Sequence, residues 1–482
     1  MLSVKTGDLA ELKTDLLIIP VIEDAAFPKD RVLAELTRKI DFYPEFTGGS
    51  GQELMLYGPD GVEADRVLFT GVGKIEKADA EAFRVAAGKA VNRAIKANLS
   101  DIVFVARGPN ERIHAMMEGA VLGNHLFDLY KREKKNKPLS EIAFHVEKAR
   151  RKTFPGAAQK IETICKGTIM AREWVSAPPN DKRPDMFARS IVKAGDKENL
   201  TIVDLDDRTI RKNKMHALVA VGAGSSTGPR MVILDYRPEK YDKTIVLVGK
   251  GVTFDSGGIN LKPSNGIADM KQDMAGAAAV AATLITATRL EMNHRIIGLL
   301  PLVENMPSGN AYRPGDVIRT ATGTTIEIGN TDAEGRMILA DALSYAVKQY
   351  HPDTIIDVAT LTGACKMALG PKIAGVFSTN DKLSARIVAA GSKTHERCWA
   401  LPMPDDYKDM LKSDIADLRN VGKSRWGGAI AAALFLSEFV QDTDWAHIDI
   451  AGPAFSEKAG AYCPAGGTGF GVRLLIDWLG GL

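Results

Sequence analysis

Short runs of uninterrupted apolar residues, each followed by glycine, proline or a charged side chain, constrain this chain more than any other feature. DLLIIPV (residues 15–21), RVLFTGV (66–72) and DIVFVA (101–106) carry no polar alternation. A strand of that kind is buried on both faces. Between the second and third, EAFRVAAGKAVNRAIKA (81–97) places apolar residues at helical spacing. Strand–helix–strand alternation around continuous apolar strands predicts a parallel α/β sheet.

The same grammar returns further on. ALVAVG (217–222), MVILDY (231–236), TIVLVGK (244–250), RIIGLLPLV (295–303), TIEIGN (325–330) and TIIDVATL (354–361) read as strands. AGAAAVAATLITATRL (275–290) reads as a helix whose many alanines allow close packing on a sheet. With 482 residues, and roughly 100–200 residues per domain, two or three domains are expected. The basic runs at 130–137 and 148–152 lead to Phe154-Pro155-Gly156, which reads as a break. A helical segment follows and ends at the paired prolines of SAPPND (176–181). The expected division is an N-terminal α/β domain at 1–155, a connecting helix at 156–178 and a larger α/β domain at 179–482.

Composition excludes several classes. Lys plus Arg number 62 against 60 Asp plus Glu, so no general attraction to nucleic acid or anionic membrane follows. The four cysteines form no CxxC pair, which argues against a disulfide scaffold or a cysteine zinc site. The N-terminal stretch lacks a basic segment and its apolar run, 16–22, is only seven residues long. No signal peptide and no membrane span are expected, and a cytoplasmic protein is the expectation.

Chemistry concentrates in two segments. KGVTFDSGGINLKPSNGIADMKQD (250–273) starts at a strand end and runs through a glycine-rich loop to the alanine-rich helix. It carries Lys250, Asp255, Lys262 and Asp273. TIEIGNTDAEGRMILADALSYAV (325–347) places Asp332, Glu334 and Arg336 in a turn between strand and helix. In open α/β sheets, ligands gather at the carboxyl ends of strands. If the two loops converge, four carboxylates meet and cannot all stay ionised without compensation. Two divalent cations would supply it, and oxygen-rich bridging ligation suits Zn, Mn or Mg. Neither segment contains histidine or HExxH, so a mononuclear zincin is not indicated. An ammonium has no lone pair for a metal. A lysine whose pKa is depressed beside dications could coordinate, and one that stays protonated could polarise a carbonyl. Spacing alone does not assign these two roles between Lys250 and Lys262.

NTDAEGR (330–336) resembles the signature of the leucine aminopeptidase family, the cytosol aminopeptidases of the M17 type. VGKGVTFDSGG (248–258), LKP (261–263), MKQDMAGAAAV (270–280), YRPGDV (312–317), ATLTGA (359–364) and HIDIAG (447–452) are similar to other blocks of that family in the same order. The likeness covers the chain from about residue 172 onward. It implies a macro-like N-terminal α/β domain and a C-terminal catalytic domain with a mixed, mostly parallel sheet flanked by helices. One metal would be held by Asp255, Asp332 (side chain and carbonyl) and Glu334. The other would be held by Lys250, Asp255, Asp273 and Glu334. Lys262 would polarise the scissile carbonyl, and Arg336 would hold a bicarbonate acting as general base on a bridging water. The substrate's α-amine would bind a metal. The Leu361 carbonyl would accept from the substrate amide, and Met270, Thr360, Gly363 and Ala451 would line the pocket for the first side chain. The resemblance further implies two Zn or Mn ions per subunit, with Mg or Co as alternatives. It also implies a preference for N-terminal leucine and other apolar residues, and a homohexamer with active sites facing an interior cavity. Met337 and Asn260 depart from the commonest family residues, and Ala454 suggests a wider specificity pocket.

Taken singly, Asp273 would be an N-cap, the DAEG turn a surface turn and Lys250 a solvated strand end. VGAGSSTG (221–228) leads into a strand rather than a helix, so it does not read as a dinucleotide loop. Two other functions compete. The basic runs could contact a DNA backbone, though a solvated face is the simpler reading. A two-metal carboxylate site would also serve a phosphoesterase.

Overall fold

The computed structural model describes residues 2–25 and 30–482. They group into two units, Met1–Lys166 with Lys458–Ala465, and Gly167–Glu457 with Gly466–Leu482.

The first unit contains strands β1 (Leu2–Lys5), β2 (Leu16–Ile22), β3 (Glu53–Tyr57), β4 (Arg66–Gly73), β5 (Ile102–Val105) and β6 (Ile142–His145). Its helices are α1 (Arg31–Arg38), α2 (Ala80–Lys96) and α3 (Asn110–Gly123). The sheet runs β1-β6-β5-β2-β4-β3. All neighbours are parallel except β3, which pairs antiparallel with β4. Ile18 in the central strand faces Leu68 on one side and Phe104 on the other, as expected for strands with no polar face. Leu17, Ile19, Val67, Phe69 and Val103 form a core with Val32, Leu33 and Leu36 of α1. Fully burying a side chain of this size is worth about 1.5–3 kcal/mol.

The chain enters the second unit within helix α4 (Phe154–Ser176). Here the helix begins at Phe154-Pro155-Gly156, where a break was expected, because proline is tolerated in a first turn whose amides lack helical partners.

The second unit continues with α5 (Pro184–Gly195), β7 (Thr201–Leu205), α6 (Asp207–Lys212), α7 (His216–Gly222), β8 (Arg230–Tyr236), β9 (Thr244–Gly249) and β10 (Gly251–Asp255). Next come α8 (Ser264–Ile267), α9 (Ala275–Arg289), β11 (Arg295–Asn305), β12 (Val317–Arg319), β13 (Thr325–Glu327), α10 (Glu334–Tyr350) and β14 (Thr354–Ala359). The last part holds α11 (Gly363–Leu369), β15 (Ala374–Ser378), α12 (Asp381–Thr394), β16 (Cys398–Ala400), β17 (Leu418–Arg419), α13 (Gly428–Ser437), β18 (Asp444–Asp449) and two further short strands, followed by α14 (Val472–Gly480).

The large sheet runs β16-β15-β18-β14-β9-β11-β8-β7, with β10 also on β11. Its centre, β18-β14-β9-β11, is parallel, and antiparallel pairs occur toward both edges. One face is covered by α7, α10 and α13 through Leu218, Met337, Leu343 and Phe435. The other carries α9, buried from Ala275 to Thr288. Gly276 brings α9 against β14, since a Cβ there would lie 2.0 Å from the Val358 carbonyl oxygen.

Residues 217–222 were expected as a strand and are the helix α7. A short apolar run fits a buried helix as well as a strand. Here the buried Asp341 carboxylate accepts from the Leu218 amide at 3.0 Å, satisfying a first-turn donor that a sheet would otherwise have paired. Among the described residues all four cysteines are free, and no helix is long and apolar enough to cross a membrane.

Candidate metal centre

Lys250 sits where two strands meet. β9 pairs with β14 as far as Gly249, opposite Val358. The Lys250 amide still donates to the Val358 carbonyl, while its own carbonyl accepts from Ala277 of α9. The chain then shifts to pair with β11 as β10, ending with Asp255 opposite Asn305. Lys250 and Asp255 therefore both lie at the carboxyl edge of the sheet. Asp273 closes a 3-10 turn just before α9, and Glu334 is the first residue of α10. The carboxyl edge thus collects side chains from a strand junction, a strand end and two helix starts.

Asp255, Asp273 and Glu334 are buried, and each offers an oxygen within 4.8 Å of the others. The Lys250 ammonium donates to Asp273 Oδ1 at 2.8 Å and to the Thr360 carbonyl at 2.9 Å, and lies 2.8 Å from Glu334 Oε1. Lys262 Nζ stands 2.7 Å from Asp255 Oδ2 and 2.5 Å from Asp332 Oδ1. All four carboxylates and both lysines singled out from sequence are brought together.

The charges do not balance. Burial, then Glu334, pushes Asp255 up to about 6 against the pull of Lys262 and Lys250. Burial likewise raises Asp273 and Asp332. Glu334 alone is held low, because Lys250 and Lys262 outweigh its burial. Burial pulls both lysines down, but the surrounding carboxylates hold each above its ordinary value. The depression expected for Lys250 needs dications beside it; with carboxylates as neighbours its direction is upward. Four carboxylates around two ammonium groups leave an excess of two negative charges if all ionise.

Asp273 Oδ2 and Glu334 Oε2 are buried and have no hydrogen-bond partner among the described residues. Leaving such atoms dry is costly unless something positive meets them. The oxygen-rich donor set with unpaired inward lone pairs fits divalent cations.

Arg336 is buried in α10 and donates to the Asn420 carbonyl at 2.7 Å. Burial lowers it to about 10, against the pull of Glu334 and Asp449. Its Nε has no partner among the described residues. Of the residues expected to line a substrate pocket, Thr360 donates its hydroxyl to Asp273 at 2.7 Å. The Leu361 and Ala451 amides both donate to Asp449 Oδ1, which ties the ends of β14 and β18 together. Met270 opens the turn that ends at Asp273, and Gly363 is exposed at the start of α11.

Several supporting residues were not singled out from sequence. Asn305 donates to Asp255 Oδ1 at 2.8 Å and to the Thr331 carbonyl at 3.0 Å. Tyr312 donates to that same carbonyl at 2.7 Å. Asn260 and Thr331 exchange hydrogen bonds, each amide donating to the other's side chain at 2.9 Å. Asn420 Oδ1 accepts from the amides of Gly329 and Asn330. The polar Asn that ends the apolar β11 was the one available signal. The basic segment at 131–137 is exposed, with Lys134 paired to Asp128, and residues 148–150 form a 3-10 turn.

A largely buried set of four carboxylates at the carboxyl edge of a mixed α/β sheet, only half offset by two lysines, defines a metallohydrolase-type centre. The sequence model of the cytosol aminopeptidase family catalytic domain matches residues 169–476, and that of its N-terminal domain matches 36–134. A probable cytosol aminopeptidase of Chlorobium phaeobacteroides is 41% identical, with 97% of each chain covered. One from Chlorobaculum tepidum is 43% identical, covering 91% of this chain and 90% of the relative. A solved structure titled "Bottromycin maturation enzyme BotP in complex with Mn" superposes with a TM-score of 0.86 at 37% identity, covering 97% of this chain and 99% of that one. The chain belongs to the cytosol aminopeptidase family M17, a family of metallo-aminopeptidases.

Proposed function

We propose that this aminopeptidase uses two divalent cations per chain to remove single residues, preferably leucine and other apolar ones, from peptide N-termini. Asp255, Asp332 and Glu334 would hold one cation, and Lys250, Asp255, Asp273 and Glu334 the other. The observation that carries this reading is the excess of buried carboxylates with two oxygens, on Asp273 and Glu334, left without partners. Manganese or zinc suits such a set, and the Mn-bound relative favours manganese. When bound, such cations polarise a carbonyl and lower the pKa of water.

The chain's own groups do the rest. Lys262 stays protonated and donates to the scissile carbonyl oxygen as negative charge develops there. Arg336 Nε, buried and unpaired, suits a small anion such as bicarbonate, which would take the proton from the attacking water. Thr360 fixes Asp273, and the Leu361 carbonyl orients the peptide amide. Met270, Thr360, Gly363 and Ala451 contact the first side chain. A cytoplasmic homohexamer is part of the same proposal.

Glu334→Ala and Asp255→Ala abolish hydrolysis of a leucyl amide, while chelation inhibits the parent enzyme and added Mn or Zn restores it. Elemental analysis of the active protein should return two metals per chain. Full activity in Asp255→Ala, or in metal-free protein, refutes the reading.

A further inference from the structure

β14 and β18 are parallel neighbours, and each leaves the sheet into a segment expected to touch substrate. β14 leads into Thr360, Leu361 and Gly363, and β18 into Ala451. Between the two segments stands Asp449, the last residue of β18 and wholly buried. Asp449 is not among the proposed metal ligands, and burial keeps it from substrate.

Its partners bracket one carbonyl. Oδ1 accepts from the Leu361 amide at 3.2 Å and from the Ala451 amide at 3.0 Å. Oδ2 accepts from the Thr362 hydroxyl at 2.7 Å. The two oxygens of one carboxylate therefore grip the chain immediately before and after the Leu361 carbonyl. The peptide group ahead of it is held from its other end as well, since the Thr360 carbonyl accepts from the Lys250 ammonium at 2.9 Å. That peptide has its oxygen toward a cation and its N–H toward an anion, and hydrogen bonds to ionised groups are the strong ones. Thr362 is fixed in turn, because its hydroxyl oxygen accepts from the Cys365 amide at 3.0 Å where α11 begins. With the chain gripped on both sides, the Leu361 carbonyl is left one direction. Ala451 shares Oδ1 with Leu361, so the two nitrogens stay within two hydrogen-bond lengths of each other.

The charge of Asp449 is supported from the next position on the same face of β18, which is His447. His447 Nδ1 lies 2.5 Å from Asp357 Oδ1, and the Trp445 indole donates to Asp357 Oδ2 at 2.7 Å. Burial pulls the His447 imidazole down, but Asp357 and Asp449 hold it above its ordinary value against Arg336. Burial raises the Asp449 carboxyl, and His447 and the three donors oppose that rise.

We propose that Asp449 is a positioning residue of the peptidase reaction, aiming the Leu361 carbonyl at the N–H of the scissile amide and so raising the rate on amides relative to esters. The proposal rests on the assignment of that contact to Leu361 under the proposed function. A group placed to accept from a substrate N–H is left unpaired by an analogue that lacks it, and an ester is such an analogue.

Steady-state hydrolysis of leucyl amide and of leucine methyl ester by the metal-loaded full-length enzyme tests this. The two substrates share the amine, the side chain and the carbonyl, and only the amide offers an N–H. In Asp449→Asn one acceptor oxygen replaces two, and kcat/KM on the amide falls about tenfold more than on the ester. Thr362→Val removes one grip and leaves the carboxylate, so the amide-to-ester ratio moves the same way by less. Thr362→Ser restores the hydroxyl and keeps the parent's ratio. All three variants retain the parent's metal content, because none of the altered groups touches a proposed ligand. Should Asp449→Asn fail to fold, the Thr362 pair still decides. Equal losses on amide and ester, or losses that track lost metal, mark Asp449 as purely structural and overturn this proposal while the parent's activity stands. A metal-loaded parent inactive on both substrates overturns the reading of the metal centre, and this proposal with it.

Discussion

A single methyl group at Gly335 should disable the metal centre. Gly335 follows Glu334 in the first turn of α10, and a Cβ built there lies 2.5 Å from Lys250 Cε and 2.8 Å from its Nζ. Carbon atoms rest at about 3.5–4.0 Å, so Lys250 must retreat by roughly 1 Å. Its side chain is only 3% exposed, and its ammonium is held at 2.8–2.9 Å from Asp273, Glu334 and the Thr360 carbonyl. Retreat breaks at least one of these. Two effects then oppose each other. Alanine favours the helix over glycine by about 0.8–1.0 kcal/mol. Overpacking costs about 1–3 kcal/mol, and a buried carboxylate deprived of its cation adds several more. The steric and electrostatic side wins, so Gly335→Ala lowers the melting temperature. Misplacing a catalytic group by about 1 Å costs on the order of a hundredfold in rate. Steady-state hydrolysis of a leucyl amide, with metal titrated back into the apoenzyme, should show kcat reduced by that order and weaker metal retention. A variant with unchanged kcat and a raised melting temperature would show that propensity governs the position, and would refute the placement of Lys250.

Three other outcomes follow from the same geometry. With the cations bound to offset Asp255 and Asp332, Lys262→Ala folds and lowers kcat by about 10²–10³, as for removal of one oxyanion donor; a loss confined to KM would place Lys262 outside the reaction. Leucyl, methionyl and phenylalanyl amides should be cleaved at comparable rates if Ala454 leaves the specificity pocket wide, and a sharp loss on the phenylalanyl amide counts against it. Asp341 is wholly buried, and burial lifts it to about 7 against the pull of the Leu218 and Ala321 amides. A folded pKa above the unfolded one means extra protons bound in the native state. Its stabilising contribution is therefore present at acid pH and lost as pH rises toward 7. Relative to Asp341→Asn, the parent should lose about 2–3 kcal/mol between roughly pH 5 and pH 8 in denaturant titrations; a difference that does not change with pH contradicts it.

Legibility in the sequence followed the physics of each element. Uninterrupted apolar runs marked β2, β4, β5, β9, β11 and β14, because a strand buried on both faces has nothing polar to hide. The run at 217–222 misled because its helical state depends on Asp341, more than a hundred residues away. The charged half of the centre was readable, since Lys250 and Asp255 sit at strand ends, Lys262 and Asp332 in the loops that follow strands, and Asp273 and Glu334 at helix starts. Its neutral half was not. Asn305, Tyr312, Thr331 and Asn420 act by donating to or accepting from particular backbone atoms, and no spacing rule announces a hydrogen bond between segments that only the fold brings together.

The paired hydrogen bonds between Asn260 and Thr331 fasten the two halves of the centre with uncharged groups alone. Their strength does not depend on which cation is bound, or on pH in the range where carboxylates titrate. Stripping and reloading should thus be possible without refolding, so that a single preparation can be converted stepwise into manganese, zinc, cobalt and mixed forms. Kinetic differences among those forms would then report the cations themselves rather than a rearranged protein.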